Sequence, residues 1–205
     1  MDHPVHMIDG MKIGRPLEFD PDKVLDAATE VFWTKGYEAT SMSDLLKAMA
    51  LSKSSLYQTF GGKRELFKRC LGRYQERFTT ELRVRLQHSP SGRHFIVEVF
   101  NHVADTAQEP EGAKGCLVAN SASEFGQRDT GFTKPVAQGL RELGLVFKEA
   151  LSRAQAEGDV SRRANLNAQA SYLVSSMTGL RILIKTGMEK REARAMVPMI
   201  LSALG

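Results

Sequence analysis

A stretch of twenty residues, Ser41–Phe60, restricts the fold more than any other part of the sequence. Ser41 is a suitable N-cap for a short helix, and Asp44, three residues later, brings the sequence close to a capping box. After a turn at Ala50-Leu51-Ser52, Ser52 can cap a second short helix that runs from Lys53 to about Thr59. Leu56 and Phe60 point back at the first helix. Two short helices joined by so tight a turn predict a helix-turn-helix.

The outward face of the second helix carries side chains that suit the major groove of DNA. Lys53 can meet a guanine or a phosphate, Gln58 can pair with adenine, and Tyr57 can bond a phosphate or pack on a thymine methyl group. Ser54 and Ser55 are small enough to let the helix approach closely. The alternative is a plain helical hairpin whose polar face is solvated.

The charge distribution favours the DNA interpretation. The net charge of +4 and the pI near 9.1 permit a nucleic-acid partner without requiring one. Between Leu45 and His88 the sequence has ten Lys or Arg residues against three acidic ones. The positive charge is therefore concentrated in the helix-turn-helix and directly after it. Ahead of these helices, Gly14-Arg15-Pro16 forms an arm from which Arg15 can enter a narrow minor groove, unless it is only a solvated tail residue.

The remaining sequence shows helical spacing of apolar residues and no convincing strand pattern. It predicts an all-α chain of about nine helices, with helices at 63–88, 93–108, 116–125, 133–157, 165–186 and 189–204 and a loop at 109–115. We expect an arm and DNA-binding domain over residues 1–62, and a regulatory and dimerisation domain over 63–205 in which 63–88 is the connecting helix.

Several classes of protein are disfavoured. The two cysteines, without an export signal, indicate a cytoplasmic protein with free thiols, and no apolar run is long enough to span a membrane. The five histidines have no metal-ligand spacing. There is no phosphate-binding glycine loop and no nucleophile elbow. We therefore expect no cofactor, no metal and no enzymatic activity.

The stretch from Arg15 to about Tyr74 resembles the DNA-binding domain of the TetR family of bacterial transcriptional regulators. The matching residues are Ala27-Ala28, Phe32, Gly36-Tyr37-Glu38-Ala39-Thr40-Ser41, Leu51-Ser52-Lys53-Ser54-Ser55-Leu56-Tyr57-Gln58-Thr59-Phe60, Lys63 and Glu65-Leu66. The resemblance implies a three-helix DNA-binding domain, a connecting fourth helix and a helical C-terminal domain. More distantly, Gly115–Ser121 resembles a segment of one branch that includes repressors sensing electrophiles or oxidants.

The resemblance also implies roles for individual residues in DNA binding. Thr40, Tyr57, Thr59 and Lys63 would hold phosphates, and Lys53, Ser54, Ser55 and Gln58 would face bases. A helix N-terminus favours phosphate oxygens, which suits both Thr40 and Lys63. The predicted DNA-binding set is Arg15, Thr40, Ser41, Lys53, Ser54, Ser55, Tyr57, Gln58, Thr59 and Lys63.

A dimer is expected because one helix-turn-helix reads only a few base pairs, and a two-fold pair would read a palindrome. The last two helices usually form the dimer interface in this family. Their broad side with small residues allows close helix approach, although it could instead be ordinary monomer core. The predicted interface comprises Tyr172, Ser175, Ser176, Gly179, Leu183, Met196, Met199 and Ile200.

The middle helices are expected to hold a sensor for a small molecule. Asn120 and Glu124 could orient a ligand among apolar walls, or they could be exposed or capping residues. The candidate walls are Phe95, Val99, Val103, Phe147 and Met177, which could equally be core.

Cys116 is the sharper sensor candidate. It follows Lys114 and Gly115 at the predicted start of a helix, where a positive helix end and a nearby ammonium group stabilise a thiolate. The alternative is an inert buried cysteine, as expected for Cys70 on its apolar stripe.

The sequence thus predicts a DNA-binding transcriptional regulator. We expect a repressor that a small-molecule inducer or electrophile releases from operator DNA. The alternatives are a ligand-independent architectural DNA-binding protein and a metal-responsive regulator.

Overall fold

The computed structural model describes residues 19–126 and 129–204 of the chain. All regular secondary structure in these residues is helical: nine α-helices of eight residues or more, one shorter α-helix and a 3-10 turn at Thr106–Gln108. The predicted all-α fold with about nine helices is confirmed. The helices are α1 (Pro21–Lys35), α2 (Met42–Met49), α3 (Lys53–Phe60), α4 (Lys63–His88), α5 (Gly92–Asp105), α6 (Pro110–Lys114), α7 (Leu117–Phe125), α8 (Thr130–Glu157), α9 (Leu166–Lys185) and α10 (Lys190–Ser202).

Each of the first three helices begins at a side-chain cap. Asp20 accepts a hydrogen bond from the backbone N–H of Asp22 at 3.0 Å, directly before a proline at the first helical position. Ser41 and Asp44 form a complete capping box, in which each backbone N–H donates to the other side chain at 3.0 Å. The Ser52 hydroxyl accepts the N–H of Ser55 at 3.1 Å. The caps at Ser41 and Ser52 confirm the predicted starts of α2 and α3.

The turn between α2 and α3 is short and has one unusual residue. Ala50 has φ 51°, a left-handed conformation that residues with a side chain adopt at a cost. The N–H of Leu51 donates to the carbonyl of Leu46 at 3.2 Å, which closes the turn. Gly61 (φ 78°) ends α3, and Gly62 (φ 127°) precedes α4. The recognition helix α3 is thus held between two fixed turns.

The segment 109–115, predicted to be a loop, contains the five-residue helix α6. Pro110 occupies its first turn, where a missing N–H is tolerated. Gly112 lies so close to the backbone carbonyl of Thr106 that a Cβ atom would overlap it. The prediction was wrong because this tertiary contact stabilises a helix too short to have a recognisable apolar pattern.

The buried side chains form two hydrophobic clusters. The N-terminal cluster joins α1, α2 and α3 to the first half of α4, to α7 and to the start of α8. The C-terminal cluster joins the second half of α4 to α5, to the rest of α8, and to α9 and α10. Because α4 contributes to both clusters, a domain boundary at residue 62 would divide the N-terminal cluster between two domains. The predicted boundary stays a prediction.

None of the helices in the described residues combines the length and apolar character needed to cross a bilayer.

Candidate DNA interface and sensor site

The outward face of α3 is built by burying the opposite face. Leu56 (0% exposed) and Phe60 (2% exposed) lie in the N-terminal cluster. Lys53, Ser54, Tyr57 and Gln58 are exposed, and Tyr57 keeps 49% of its surface in solvent although it is aromatic. An exposed aromatic side chain between polar neighbours suits contact with a partner. The structure therefore brings these four predicted base-facing or phosphate-facing residues onto one accessible surface.

The serines around the start of α3 form a connected group of hydroxyls. The Ser52 Oγ lies 2.9 Å from the Ser54 Oγ and 2.8 Å from the Ser55 Oγ. Ser54 is exposed and Ser55 is half-buried. This network holds the serine side chains against the helix, which leaves room for the longer Lys53, Tyr57 and Gln58.

Thr40 lies inside the turn before α2 and not on its surface. It is 1% exposed, its hydroxyl donates to the carbonyl of Gly36 at 2.5 Å, and its N–H donates to the carbonyl of Tyr37 at 3.2 Å. This corrects the expectation of a free phosphate-binding hydroxyl at Thr40, because both of its donors are used within the protein. Ser41 is exposed, and its hydroxyl is 2.7 Å from the carboxylate of Asp44.

The start of α4 lies next to the turn between α1 and α2. The Lys63 ammonium is 4.4 Å from the ring centroid of Tyr37 and 3.5 Å from the carbonyl of Glu38. Gly62, at the N-cap, supplies no side-chain hydrogen bond to the first turn of α4. A cation beside uncapped backbone N–H groups suits a phosphate oxygen. Thr59 is half-buried on α3, and Arg15 lies outside the described residues.

Glu124, near the end of α7, binds the same turn from the other side. Its carboxylate accepts the backbone N–H of Tyr37 at 3.0 Å and that of Glu38 at 2.7 Å, across 87 and 86 residues of sequence. Two charge-assisted hydrogen bonds to consecutive amides fix the turn relative to α7. This corrects the prediction that Glu124 orients a ligand, since its carboxylate is committed to the DNA-binding part.

A second contact joins the corner between α7 and α8 to the DNA-binding part. Arg64 makes two hydrogen bonds of 2.6 Å to the carboxylate of Asp129, and its guanidinium lies 4.5 Å from the ring centroid of Phe132. The Asp129 carboxylate also caps α8 by accepting the N–H of Gly131 at 2.9 Å. The bond from Arg64 is the largest of the contacts that lower the pKa of Asp129. We call the Glu124 and Asp129 contacts together the α7–α8 clasp.

Asn120 is also committed to the protein. Its amide donates to the carbonyl of Lys114 at 2.8 Å, and its oxygen accepts from the ammonium of Lys185 at 3.1 Å. These bonds connect the loop before α7 to the end of α9. The prediction that Asn120 faces a ligand is therefore corrected to a structural role in that loop.

Cys116 lies at the predicted helix start, directly before α7, and is half-buried. The ammonium of Lys114, expected to stand near the thiol, is 2.6 Å from the carboxylate of Glu30 and 5.2 Å from the ring centroid of Trp33. Cys116 thus lies at a helix start, as expected. The Lys114 ammonium, which was expected to stabilise the thiolate, is paired with a carboxylate instead. Cys70 is buried as expected, and burial raises the pKa of its thiol to about 11.

Cys116 lines a cavity between the two hydrophobic clusters, which we call the seam cavity. It has a volume of about 20 Å³, room for about one water molecule. Its walls come from α4, α7, α8 and α9 and include Tyr74, Phe78, Leu143, Met177 and Arg181. Tyr74 is a neighbour of Cys116. Burial raises the pKa of the Tyr74 phenol most, and Cys116 raises it further.

The predicted pocket walls do not lie together around one cavity, and their contact with a ligand stays a prediction. Met177 lines the seam cavity. Phe95, Val99, Val103 and Phe147 are at most 2% exposed and pack within the C-terminal cluster, away from the cavity. These four residues recur at helical spacing, as the cavity residues do, but they lie on the helix faces that pack against other helices.

An exposed apolar face runs along α9 and α10. Tyr172 is 39% exposed, Leu183 is 40% exposed, and Met199 is 73% exposed. Ser175 is exposed, and Ser176, Gly179 and Met196 are half-buried. Ile200 is only 6% exposed and belongs to the C-terminal cluster, so its place in the predicted interface is corrected to monomer core.

Sequence reasoning missed the contacts of Arg64, Asp129 and Arg181. Arg64 and Arg181 were ordinary charged residues on helical patterns, and Asp129 lay between two predicted helices. The residues that they contact lie far away in sequence, so no local signal marks them. Among the described residues, no three His, Cys, Asp or Glu side chains are grouped to hold a metal ion.

Comparisons with known proteins agree over both parts of the chain. A family model described as bacterial regulatory proteins, tetR family, matches residues 24–70. A model described as the tetracyclin repressor-like C-terminal domain matches residues 94–198. The two matched regions include α3, the clasp and Cys116.

Individual relatives extend over most of the chain. The HTH-type transcriptional regulator YezE of Bacillus subtilis is 32% identical over 193 residues, which cover 94% of this chain and 100% of YezE. The HTH-type transcriptional repressor ComR of Escherichia coli is 29% identical over 177 residues, covering 85% of this chain and 83% of ComR.

A solved structure gives the same result. It holds a cysteine mutant of the TetR family transcriptional regulator CifR with 26-bp double-strand operator DNA, and it is 28% identical to this chain with a TM-score of 0.83. The match covers 93% of this chain and 100% of that one. The matched proteins are transcriptional regulators, so the chain is a DNA-binding regulator and not an enzyme. It belongs to the TetR family of bacterial regulatory proteins.

Proposed function

We propose that the chain is a dimeric repressor that a small molecule, or modification of Cys116, releases from a palindromic operator. The observation that carries the proposal is the polar, accessible face of α3, held in place by buried Leu56 and Phe60. The operator DNA bound to CifR and the name repressor given to ComR support this role.

The proposed DNA contacts divide into two groups. Lys53, Ser54 and Gln58 face base edges in the major groove, with Ser55 behind them. Tyr57, Thr59, Lys63 and the region of Ser41 face phosphates, and Arg15 in the N-terminal arm enters the minor groove. Because serines occupy two of the base-facing positions, DNA shape contributes part of the sequence preference.

The exposed face of α9 and α10 supports a dimer. Leu183 and Met199 leave large apolar surfaces in solvent, and Ser175 and Gly179 between them permit close helix approach. Pairing this face with its copy in a second chain removes that surface from water and sets the spacing of two α3 helices.

The proposed switch follows α7. Its first end is at Cys116 and the seam cavity, and its other end holds the turn at Tyr37 and Glu38 through Glu124. A ligand or a modified thiol that separates the walls of the cavity tilts α7 and shifts the DNA-binding helices. To act as a switch, the ligand must bind the released state more tightly by a few kcal/mol.

The DNA part is tested by recovering and sequencing genomic fragments that bind the purified protein. We expect a shared palindrome near promoters. For that site, Lys53→Ala should weaken binding about tenfold. If Lys53 meets a phosphate, the slope of log affinity against log salt concentration should also fall by about one. If it meets a guanine, the variant should instead lose specificity at one base position. Arg162→Ala, on the exposed loop after α8, is the matched control for loss of one positive charge. Fragments without a shared motif would contradict the proposal.

The sensor part is tested with Cys116→Ser. Electrophiles such as iodoacetamide should release the parent protein from its operator, and the serine variant should stay bound. If the serine variant is released at the same reagent concentration as the parent, Cys116 is not the sensor.

A further inference from the structure

Arg181 on α9 is half-buried. Its Nε atom is buried and has no hydrogen-bond partner among the described residues. The guanidinium lies 5.7 Å from the ring centroid of Phe78 on α4. In the part of the chain that the structure describes, no carboxylate is within salt-bridge distance of it. A partly desolvated cation of this kind costs free energy until an acceptor reaches it.

Arg181 stands where two spaces meet. It lines the seam cavity, and it also lines a larger polar cleft of about 570 Å³ between α1, α4 and the loop after α5. Tyr74 and Phe78 are shared by both spaces in the same way. Arg181 therefore borders both the cleft and the cavity that Cys116 lines.

Several of the other charges of the cleft are paired with carboxylates or ammonium groups. Arg73 bonds the carboxylate of Asp26 at 3.0 Å, and Arg77 bonds the same carboxylate at 2.9 Å. Glu30 is paired with Lys114 at 2.6 Å. The cleft, but not the seam cavity, is also lined by Glu81, Arg85 and Glu111. Among the described residues that line the seam cavity, Arg181 is the one charged side chain. An anion compensates both the missing hydrogen bond and the charge, whereas a water molecule or a neutral carbonyl compensates only the first.

We propose that the seam cavity is a site for small organic anions, in which a carboxylate oxygen accepts a hydrogen bond from Arg181 Nε beside the Cys116 thiol. The apolar remainder of the ligand packs on Phe78 and Met177. This inference rests on the proposed sensor function and names the ligand class of that site.

The small size of the cavity makes binding and movement the same event. At about 20 Å³ it has no room for a carboxylic acid larger than a few atoms, so α4 and α9 must part to admit one. Gln75, which covers Gly139 and donates to the carbonyl of Pro135 at 3.1 Å, is a polar side chain of the wall that joins α4 to α8. An anion therefore binds the separated arrangement of the two clusters, which is the differential affinity that a switch requires.

The test compares two alkylating reagents of nearly equal size, iodoacetate and iodoacetamide. Both form a bond between the Cys116 sulfur and their CH₂ carbon, the carbon–iodine bond breaks, iodide leaves with the bonding electrons, and the thiol proton goes to solvent. The rate ratio of iodoacetate to iodoacetamide is measured at Cys116 by mass spectrometry, with buried Cys70 as an internal unreactive site. We expect the ratio to be about tenfold higher in the folded protein than in a synthetic peptide spanning residues 112–119.

Variants assign the effect to Arg181. Arg181→Gln should return the ratio to that of the peptide, and Arg181→Lys, which keeps the charge but loses the Nε donor, should fall between. Arg85→Gln removes a positive charge from the cleft but not from the cavity wall, so it should keep the high ratio. Circular dichroism on each variant establishes that the fold is intact. An unchanged ratio in a folded Arg181→Gln or Arg181→Lys protein overturns the proposal.

Operator release separates this proposal from the one on which it rests. If both reagents release the protein from DNA with the ratio seen in the peptide, Cys116 is a sensor and the anion site is refuted. If complete alkylation of Cys116 by either reagent leaves operator binding unchanged, the sensor function itself is refuted, and so is an anion site that serves it.

Discussion

The two hydrophobic clusters differ in how they are held together. In the N-terminal cluster a continuous group of rings, Phe32, Tyr37, Phe67, Phe125 and Phe132, makes contacts with centroid distances between 4.2 Å and 6.1 Å. The C-terminal cluster contains the ring pair Phe100–Phe147 at 6.0 Å and is otherwise largely aliphatic. Aromatic pairs prefer particular orientations, whereas aliphatic side chains pack with little directional preference.

The difference indicates which part of the molecule is fixed and which can adjust. In the N-terminal cluster α7 and the start of α8 are tied to the DNA-binding helices by rings and by the α7–α8 clasp. The C-terminal cluster has fewer such directional contacts. The seam cavity lies between the two clusters, so a shift of one cluster relative to the other would change the shape of this cavity.

The largest expected effects come from removing one buried ring from each cluster, in both cases from helix α8. Phe132 and Phe147 are both 0% exposed, so Phe132→Ala and Phe147→Ala should each lower the free energy of unfolding by about 3–5 kcal/mol. Only Phe132→Ala should also weaken operator binding by the molecules that remain folded, because its ring contacts Tyr37 and Phe67. Urea unfolding, monitored by Trp33 fluorescence, measures the change in stability. Operator binding at low temperature measures the change in affinity separately. Equal losses of operator affinity would contradict this comparison.

The next largest effect is expected at the clasp. Glu124→Ala removes two charge-assisted hydrogen bonds to the turn at Tyr37 and Glu38, and it should weaken operator binding about tenfold or more. Ser123→Ala removes only a hydroxyl bond to the carbonyl of Ala119 on the same helix, and it serves as the control. Fluorescence anisotropy with labelled operator measures both. A Glu124→Ala protein that binds DNA like the Ser123→Ala control would show that the clasp does not position the DNA-binding helices.

A smaller effect is expected on the acid stability of the same corner. Arg64 lowers the pKa of Asp129 in the folded protein, so this pair stabilises the fold above the unfolded pKa of about 3.9, and the contribution is lost as the pH falls through the lower folded pKa. The parent should therefore lose more stability below pH 4 than Asp129→Asn does. Asp159→Asn, which removes a carboxylate from an exposed loop, is the control, and it should lose as much stability at low pH as the parent does. Urea midpoints measured at pH 6 and pH 3 decide this.

The smallest effect is expected in the C-terminal part. Asp105 joins α5 to α10 through Arg194 and Lys190, and the hydrogen bond from Arg194 is the largest contribution to lowering its pKa to about 2. Asp105→Asn should lower the Tm at pH 7 by less than about 3 °C, since exposed ion pairs contribute little. At pH 2 the difference should shrink, because Asp105 is then partly protonated in the parent as well. Calorimetry at both pH values measures it, and a change in operator affinity would be unexpected.

The DNA-binding part could be predicted from sequence because its determinants are local. Ser41 and Asp44 are three residues apart, and the turn before α3 lies within ten residues of both, so caps and spacing define the structure. The clasp could not be predicted in this way. Glu124 and Tyr37 are 87 residues apart, and Arg64 and Asp129 are 65 apart.

The sensor region shows a second limit of sequence reasoning. Helical periodicity correctly indicates that Phe95 and Phe147 are buried, but it does not show which helix each of them meets. Met177 lines the cavity, whereas Val99 and Val103, with the same apolar character, meet other helices in the core. Ile200 was assigned to an interface for the same reason and lies in the core.

The length of α7 has a consequence for sensitivity. Its nine residues span about 13 Å, so a tilt of about 5° around the end at Cys116 displaces the far end by about 1 Å. The Glu124 hydrogen bonds tolerate a displacement of only about 0.5 Å before they weaken. In the proposed switch, α7 would therefore act as a lever: a displacement of a few tenths of an ångström at the thiol would break a contact at the turn between α1 and α2.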